Sequence, residues 1–128
     1  MAKRKSTKVL PETKLLLDLV VKGMQERKAK NITILDMSEV SGAMTDFFVI
    51  CTGTSDSQVD AISDSIEEEV YNTVKYNPAH VEGKANKEWI LIDYLDVMAH
   101  VFKKETREFF ALEDLWGDAK ITKLEDVA

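Results

Sequence analysis

Apolar positions along this chain recur with two different periods. From Pro11 the spacing is helical: Leu15, Leu16, Leu19, Val20 and Met24 form one stripe and predict a helix over about 11–27. Pro11 and Glu12 suit its first turn, where proline forfeits no needed donor and a carboxylate complements the helix dipole. Residues 32–37 then read as a strand of β-branched and apolar residues. The polar link over 38–45, with Gly42, is too short for a helical crossover, so the next strand is expected antiparallel to this one. That strand carries no charge between Asp46 and Asp56, and Phe47, Val49 and Cys51 alternate with the equally apolar Phe48 and Ile50. Such a strand is covered on both faces. Gly53 interrupts it, and Ser55-x-x-Gln58 predicts a capped helix start, with Ser55 accepting from the third helical N–H and Gln58 reaching back to the cap. A buried strand feeding a capped helix is half of a β-α-β unit.

The helix that follows, about 56–75, places Val59, Ile62, Ile66, Val70 and Val74 on one side, while Asp60, Asp64, Glu67 and Glu68 line a solvated face. Asn77-Pro78 stops it. A short strand is expected over 79–82, then a turn through Gly83 to Lys87, a strong strand over 89–94 and another over 97–102. The two-residue turn Leu95-Asp96 requires those last two to be antiparallel neighbours. Residues 103–110 look helical or irregular, 112–116 a last helical turn stopped by Gly117, and 118–128 show no readable pattern. The sum is an α/β fold, a mixed β-sheet with flanking helices. Two long helices are too few to cover two central strands that are apolar on both sides, so one face is expected to be partly bare. Period two puts Trp89, Leu91 and Asp93 on one side of their strand and Ile90, Ile92 and Tyr94 on the other. A bare apolar strip rimmed by acids marks a protein interface.

Composition narrows the classes. With 128 residues, 45% hydrophobic and 31% charged, the chain fits one soluble domain with a real core. No apolar run approaches the roughly 20 residues that span a bilayer. Its single cysteine, Cys51, excludes an internal disulfide framework and a multi-cysteine metal site, and its apolar setting reads as a small core residue. The net charge of −6 is uneven: Lys3, Arg4, Lys5 and Lys8 stand in the first nine residues without an acid, leaving −10 on the rest. A basic tail over 1–10, read as a flexible solubilising arm, precedes an acidic body that suits a basic protein partner better than nucleic-acid phosphates.

Candidate chemistry is sparse. The Gly53-Thr54-Ser55 turn offers backbone amides to a phosphate, and it matches the Gly-Ser pair of nucleotidyltransferases. Those enzymes hold Mg²⁺ with two carboxylates one residue apart, and no Asp-x-Asp pair occurs here. No lysine in the turn makes it a Walker loop. His100, alternating with Met98 and Phe102, reads as a hydrogen-bonded sheet residue, and His80 and His100 make no metal pair. No catalytic residue, metal or cofactor is assigned. Trp89, flanked by Glu88 and sharing a face with Asp93, is either core or an interface anchor, while Trp116 reads as core.

Four ordered blocks carry a resemblance: 46–59, from Asp46-Phe47-Phe48-Val49-Ile50-Cys51 through Gln58-Val59; Glu82-Gly83; 89–102, from Trp89-Ile90-Leu91-Ile92-Asp93-Tyr94 to His100-Val101-Phe102; and the closing 107–116, Arg107 to Trp116. Together they resemble the ribosomal silencing factor (Iojap-related) family over about 11–117, with 1–10 and 118–128 left as tails. The turn departs from the family in having Leu95, where a glycine usually precedes the Asp. The resemblance implies a nucleotidyltransferase-like fold lacking the catalytic carboxylates, and a cytoplasmic, often dimeric factor without enzymatic activity. It implies docking on the large ribosomal subunit at ribosomal protein L-fourteen, which blocks joining of the small subunit and represses translation when nutrients are limited. Contact with ribosomal RNA would be peripheral, through the basic tail, and no DNA or membrane partner is implied. Trp89 is the expected anchor, with Glu82, Asp93 and Asp96 facing basic side chains of the partner. The competing readings are a divergent nucleotidyltransferase using the Gly53-Thr54-Ser55 turn and a dimeric scaffold for another basic protein.

Overall fold

A computed structural model describes residues 9–127; most of the expected basic tail, residues 1–8, lies outside the described residues. In order come α1 (Pro11–Glu26), β1 (Lys30–Asp36), β2 (Phe47–Gly53), α2 (Asp56–Val74), β3 (His80–Glu82), β4 (Trp89–Asp93), β5 (Val97–Lys103), α3 (Lys104–Phe110), α4 (Leu112–Leu115) and β6 (Lys120–Lys123). Six strands make one sheet in the order β3-β4-β5-β2-β1-β6. β2 and β5 are parallel and the other neighbours antiparallel, including the β1–β2 pair and the β4–β5 hairpin, as the link lengths require. The chain is therefore a mixed α/β sheet with flanking helices. β2–α2–β5 completes the β-α-β unit, with the β3–β4 hairpin inserted between α2 and β5.

Both long helices pack on one side of the sheet. Val59, Ile62, Ile66 and Val70 of α2 and Leu16, Leu17, Leu19, Val20 and Met24 of α1 meet Val49, Cys51, Ile90, Ile92, Val97, Ala99 and Val101 in the main core. Fully burying such a side chain contributes about 1.5–3 kcal/mol, and this layer dominates stability. Leu15, expected in the α1 stripe, is 43% exposed, and Leu17 takes the buried place. The stripe sits slightly rotated because α1 packs against α2 as well as the sheet. Gly23 sets that contact: a Cβ there would stand 2.6 Å from Ile66 Cα, and Ser65 Oγ donates to Gly23 O at 2.8 Å.

The start of α2 follows the sequence reading with one change. Ser55 Oγ accepts from Gln58 N at 3.1 Å, the expected cap. Gln58 Oε1, however, accepts from Thr54 N at 2.7 Å and not from the cap residue itself, while its Nε2 donates to Arg27 O and Lys28 O. The amide group thus ties the beginning of α2 to the end of α1, a partner 31 positions away in sequence. Cys51 is fully buried, and burial pushes its thiol up to about 12, in keeping with a core residue.

Residues 118–128, expected as a tail, contain β6, which pairs Ile121 with Leu35 and Lys123 with Thr33. All four of its residues are exposed, so no alternation of burial was there to be read.

Candidate protein-docking face

The side of the sheet away from α1 and α2 bears no long helix. Pairing registers place Leu35 of β1, Phe48 and Ile50 of β2, Met98, His100 and Phe102 of β5 and Trp89, Leu91 and Asp93 of β4 on this side. Towards β1 it is covered by α3 and α4, whose Leu112 joins Leu35, Met37, Ile50 and Phe102 in a second, smaller core against Phe48, Trp89 and Trp116. Towards β3 and β4 the cover runs out. Leu91 and Met98 are half-buried there. The partly bare face is thus the β3–β4 end.

Trp89 stands at the border between cover and bare sheet. Its indole stacks on Phe102 (centroids 4.8 Å, 26°), meets Phe110 of α3 at 4.8 Å and donates Nε1–H to His100 Nδ1 at 3.0 Å. The residue is half-buried, so it is core on one side and surface on the other. His100 is the hydrogen-bonded sheet residue the pattern predicts. Burial pushes its imidazole down to about 4, which keeps it neutral and leaves Nδ1 free to accept. Phe48 packs edge-on against the imidazole at 4.8 Å, and Trp116 edge-on against Phe48 at 5.9 Å.

The four residues expected to contact a partner do not all gather. Glu82 of β3 pairs with Leu91, and Asp93 pairs with His80, so Glu82 and Asp93 rim the same bare face as Trp89. Glu82 accepts from His80 Nε2 at 2.6 Å. Asp93 accepts from Leu95 N at 2.7 Å and, among the described residues, forms no ion pair. Asp96 turns the other way: its Oδ2 accepts from Thr13 Oγ1 of α1 at 3.1 Å, and its carbonyl accepts from Asp46 N and Phe47 N. It fastens the β4–β5 turn to the helix side. Gly83 brings β3 close behind Trp89, since with φ 92° a Cβ there would lie 1.9 Å from Trp89 O. Glu88 is occupied by Thr106, whose Oγ1 donates to it at 2.6 Å.

Arg107 was not singled out in the sequence reading. A single arginine in a short helix of balanced charge gives no warning, because most of its partners come from distant strands. Nη1 donates to Asn31 O at 2.7 Å and Thr52 Oγ1 at 2.9 Å, Nη2 to Thr33 Oγ1 at 2.9 Å, and Nε and Nη2 both to Glu113 Oε2. Burial alone would raise the Glu113 carboxyl, but the hydrogen bonds and charge of Arg107 outweigh it and hold the group below the usual carboxylate range. The guanidinium forms one wall of a cleft of about 480 Å³ between β1, β6 and the α3–α4 turn. Its five N–H donors are all engaged, so it offers none to a ligand. The Gly53–Ser55 turn likewise spends its groups on capping. Among the described residues no three of His, Cys, Asp and Glu converge, and no helix is long and apolar enough to cross a membrane.

Comparison with known proteins agrees with this architecture. Residues 10–128 match the family model described as ribosomal silencing factor during starvation, so the match runs through β6. The ribosomal silencing factor of Halalkalibacterium halodurans is 39% identical over 112 residues, covering 88% of this chain and 94% of that protein. The chloroplastic Iojap protein of maize is 35% identical over 103 residues, 78% of this chain but 42% of the longer plant protein. A crystal structure of a Chromobacterium violaceum protein superposes with a TM-score of 0.77 at 28% identity, covering 82% of this chain and 86% of that one. This chain belongs to the ribosomal silencing factor family.

Proposed function

We propose that this protein binds the large ribosomal subunit through the bare β3–β4 end of its sheet, at a basic ribosomal protein, L-fourteen, and so blocks joining of the small subunit. Family membership supports a ribosomal partner in general. The observation that carries the docking face is the border position of Trp89, an indole held on one side by Phe102 and His100, with Glu82 and Asp93 further along the same face. An aromatic anchor within an acidic rim is complementary to a basic protein surface. No chemistry is needed for the effect. A factor seated where two subunits touch excludes the second by volume, and its action scales with occupancy. Repression when nutrients are limited, a cytoplasmic location and a homodimer belong to the same reading.

Co-sedimentation with purified large subunits, followed by addition of small subunits, tests it directly. Binding without a loss of joining would reject the steric mechanism, and absence of binding would reject the ribosomal reading. The divergent nucleotidyltransferase is not favoured, because the turn it would use is committed to capping and Arg107 fills the space beside Thr52. Metal-dependent nucleotidyl transfer abolished by Ser55→Ala would revive it. Sedimentation equilibrium at high micromolar protein decides the dimer.

A further inference from the structure

α3 is an unusual element. It buries none of its residues, its Phe109 is 81% exposed and Phe110 43% exposed, and yet Phe110 lies against Trp89. Ordinary packing therefore does not explain why α3 stays where it is. α4 has its own anchors in Leu112 and Trp116, which enter the second core. What joins α3 to the sheet from its own length is mainly Arg107, reaching Asn31 and Thr33 of β1 and Thr52 of β2, with Thr106 adding one contact to Glu88. The return of the chain at Ala111, with φ 46°, swings Glu113 back onto the same guanidinium. One side chain thus links two strands and two short helices.

We propose that Arg107 is a positioning residue: it clamps the α3–α4 ledge so that Phe110 closes over one side of Trp89 and fixes the indole that meets the partner. Its consequence for binding rests on the docking reading above; its effect on the ledge does not. The planar fork suits this task because it holds five donors in fixed directions, where an ammonium on a flexible stem has three. The clamp is polar and peripheral, so loosening it should free the ledge without dissolving the core beneath α1 and α2.

Three variants test this in the full-length protein. Arg107→Met keeps the stem and removes every donor. Arg107→Lys keeps the charge opposite Glu113. The double change Thr33→Val with Thr52→Val leaves Arg107 intact and removes two strand acceptors with little change in shape. Amide hydrogen exchange should speed up at least tenfold over residues 104–116 in Arg107→Met, less in the other two, while α1, α2 and β5 exchange as in the unaltered protein. The Trp89 indole N–H resonance, assigned with Trp116→Phe, should shift or broaden in the same order. Affinity for large subunits should fall roughly tenfold in Arg107→Met and be partly rescued in Arg107→Lys. Unchanged exchange over 104–116 in both Arg107→Met and the threonine pair overturns the clamp, whatever the ribosome assay reads. Acceleration spread equally over α1, α2 and the ledge also overturns it, by making Arg107 a general stability residue. Failure of the unaltered protein to bind large subunits rejects the docking reading alone.

Discussion

The two faces of this sheet use the same strands and are built to different rules. Beneath α1 and α2, alternate residues of β2, β4 and β5 are buried and, Phe47 apart, aliphatic or small, and the helices approach until Gly23 leaves no room for a Cβ. On the other face aromatic and polar residues, Phe48, Trp89, His100 and Phe102, stand among aliphatic ones such as Ile50, Leu91 and Met98, with an arginine network at the margin. The first face gains from close packing and tolerates little change in volume. The second keeps large, oriented side chains that are satisfied on one side and open on the other. One face holds the protein together, and the other is shaped to hold something else.

The sharpest break in this contrast comes from the helix side. Ile66→Ala, in the middle of α2 and fully buried, should cost about 2–5 kcal/mol as lost transfer energy plus a cavity. Urea denaturation monitored by circular dichroism measures it, and a cost below about 1 kcal/mol would mean that this layer is not the tight one.

Acid provides the next test, on the opposite face. His100 is neutral in the folded protein, with a pKa of about 4 against 6.5 in the unfolded chain. As pH falls from 6.5 to 4 the unfolded state takes up a proton that the folded state refuses, so stability is fully present above that window and lost across it. A difference of this size is worth about 3 kcal/mol. Denaturation series between pH 4 and 7 should show a slope that His100→Phe reduces. An equal slope in His100→Phe would assign the loss to other groups.

Trp89→Ala should separate stability from binding. With a central anchor removed, affinity for large subunits should drop by about 2 kcal/mol, or roughly 30-fold, in protein shown to be folded by circular dichroism. Folded Trp89→Ala that still sediments and still blocks joining would move the docking face elsewhere.

The two aspartates flanking the β4–β5 turn should then behave oppositely. Asp93→Lys should mainly slow association, with an effect that shrinks as salt rises, because Asp93 rims the bare face. Asp96→Ala should instead cost about 1 kcal/mol of stability through its lost bond to Thr13, with no change in the salt dependence of binding. Stopped-flow association at two salt concentrations distinguishes them, and identical behaviour would erase the division of faces at this turn. The smallest effect is expected between them, at Leu95, which holds φ 76°. Leu95→Gly should stabilise by about 0.5–1 kcal/mol, the left-handed penalty less the entropy glycine loses, and a lower melting temperature would contradict that balance.

What the sequence by itself determined was local and periodic. The helical stripes, the doubly apolar β2, the Ser55 cap and the β4–β5 hairpin follow from spacing and turn length, because these signals act within a few residues. The family resemblance was legible too, and the strand period already placed Trp89 and Asp93 together. Only the tertiary structure decided that Asp96 faces α1 while Asp93 faces outward, three positions away across a turn. It also decided that Gln58 serves the end of α1, that the exposed residues of β6 complete the sheet, and that Arg107 gathers Asn31, Thr33, Thr52 and Glu113. The hydrogen bonds among them join residues up to 83 positions apart, and polar partners at such distances leave no period to read. Hydrophobic burial repeats with the geometry of its own element, whereas a hydrogen bond is set by wherever the rest of the chain brings its acceptor.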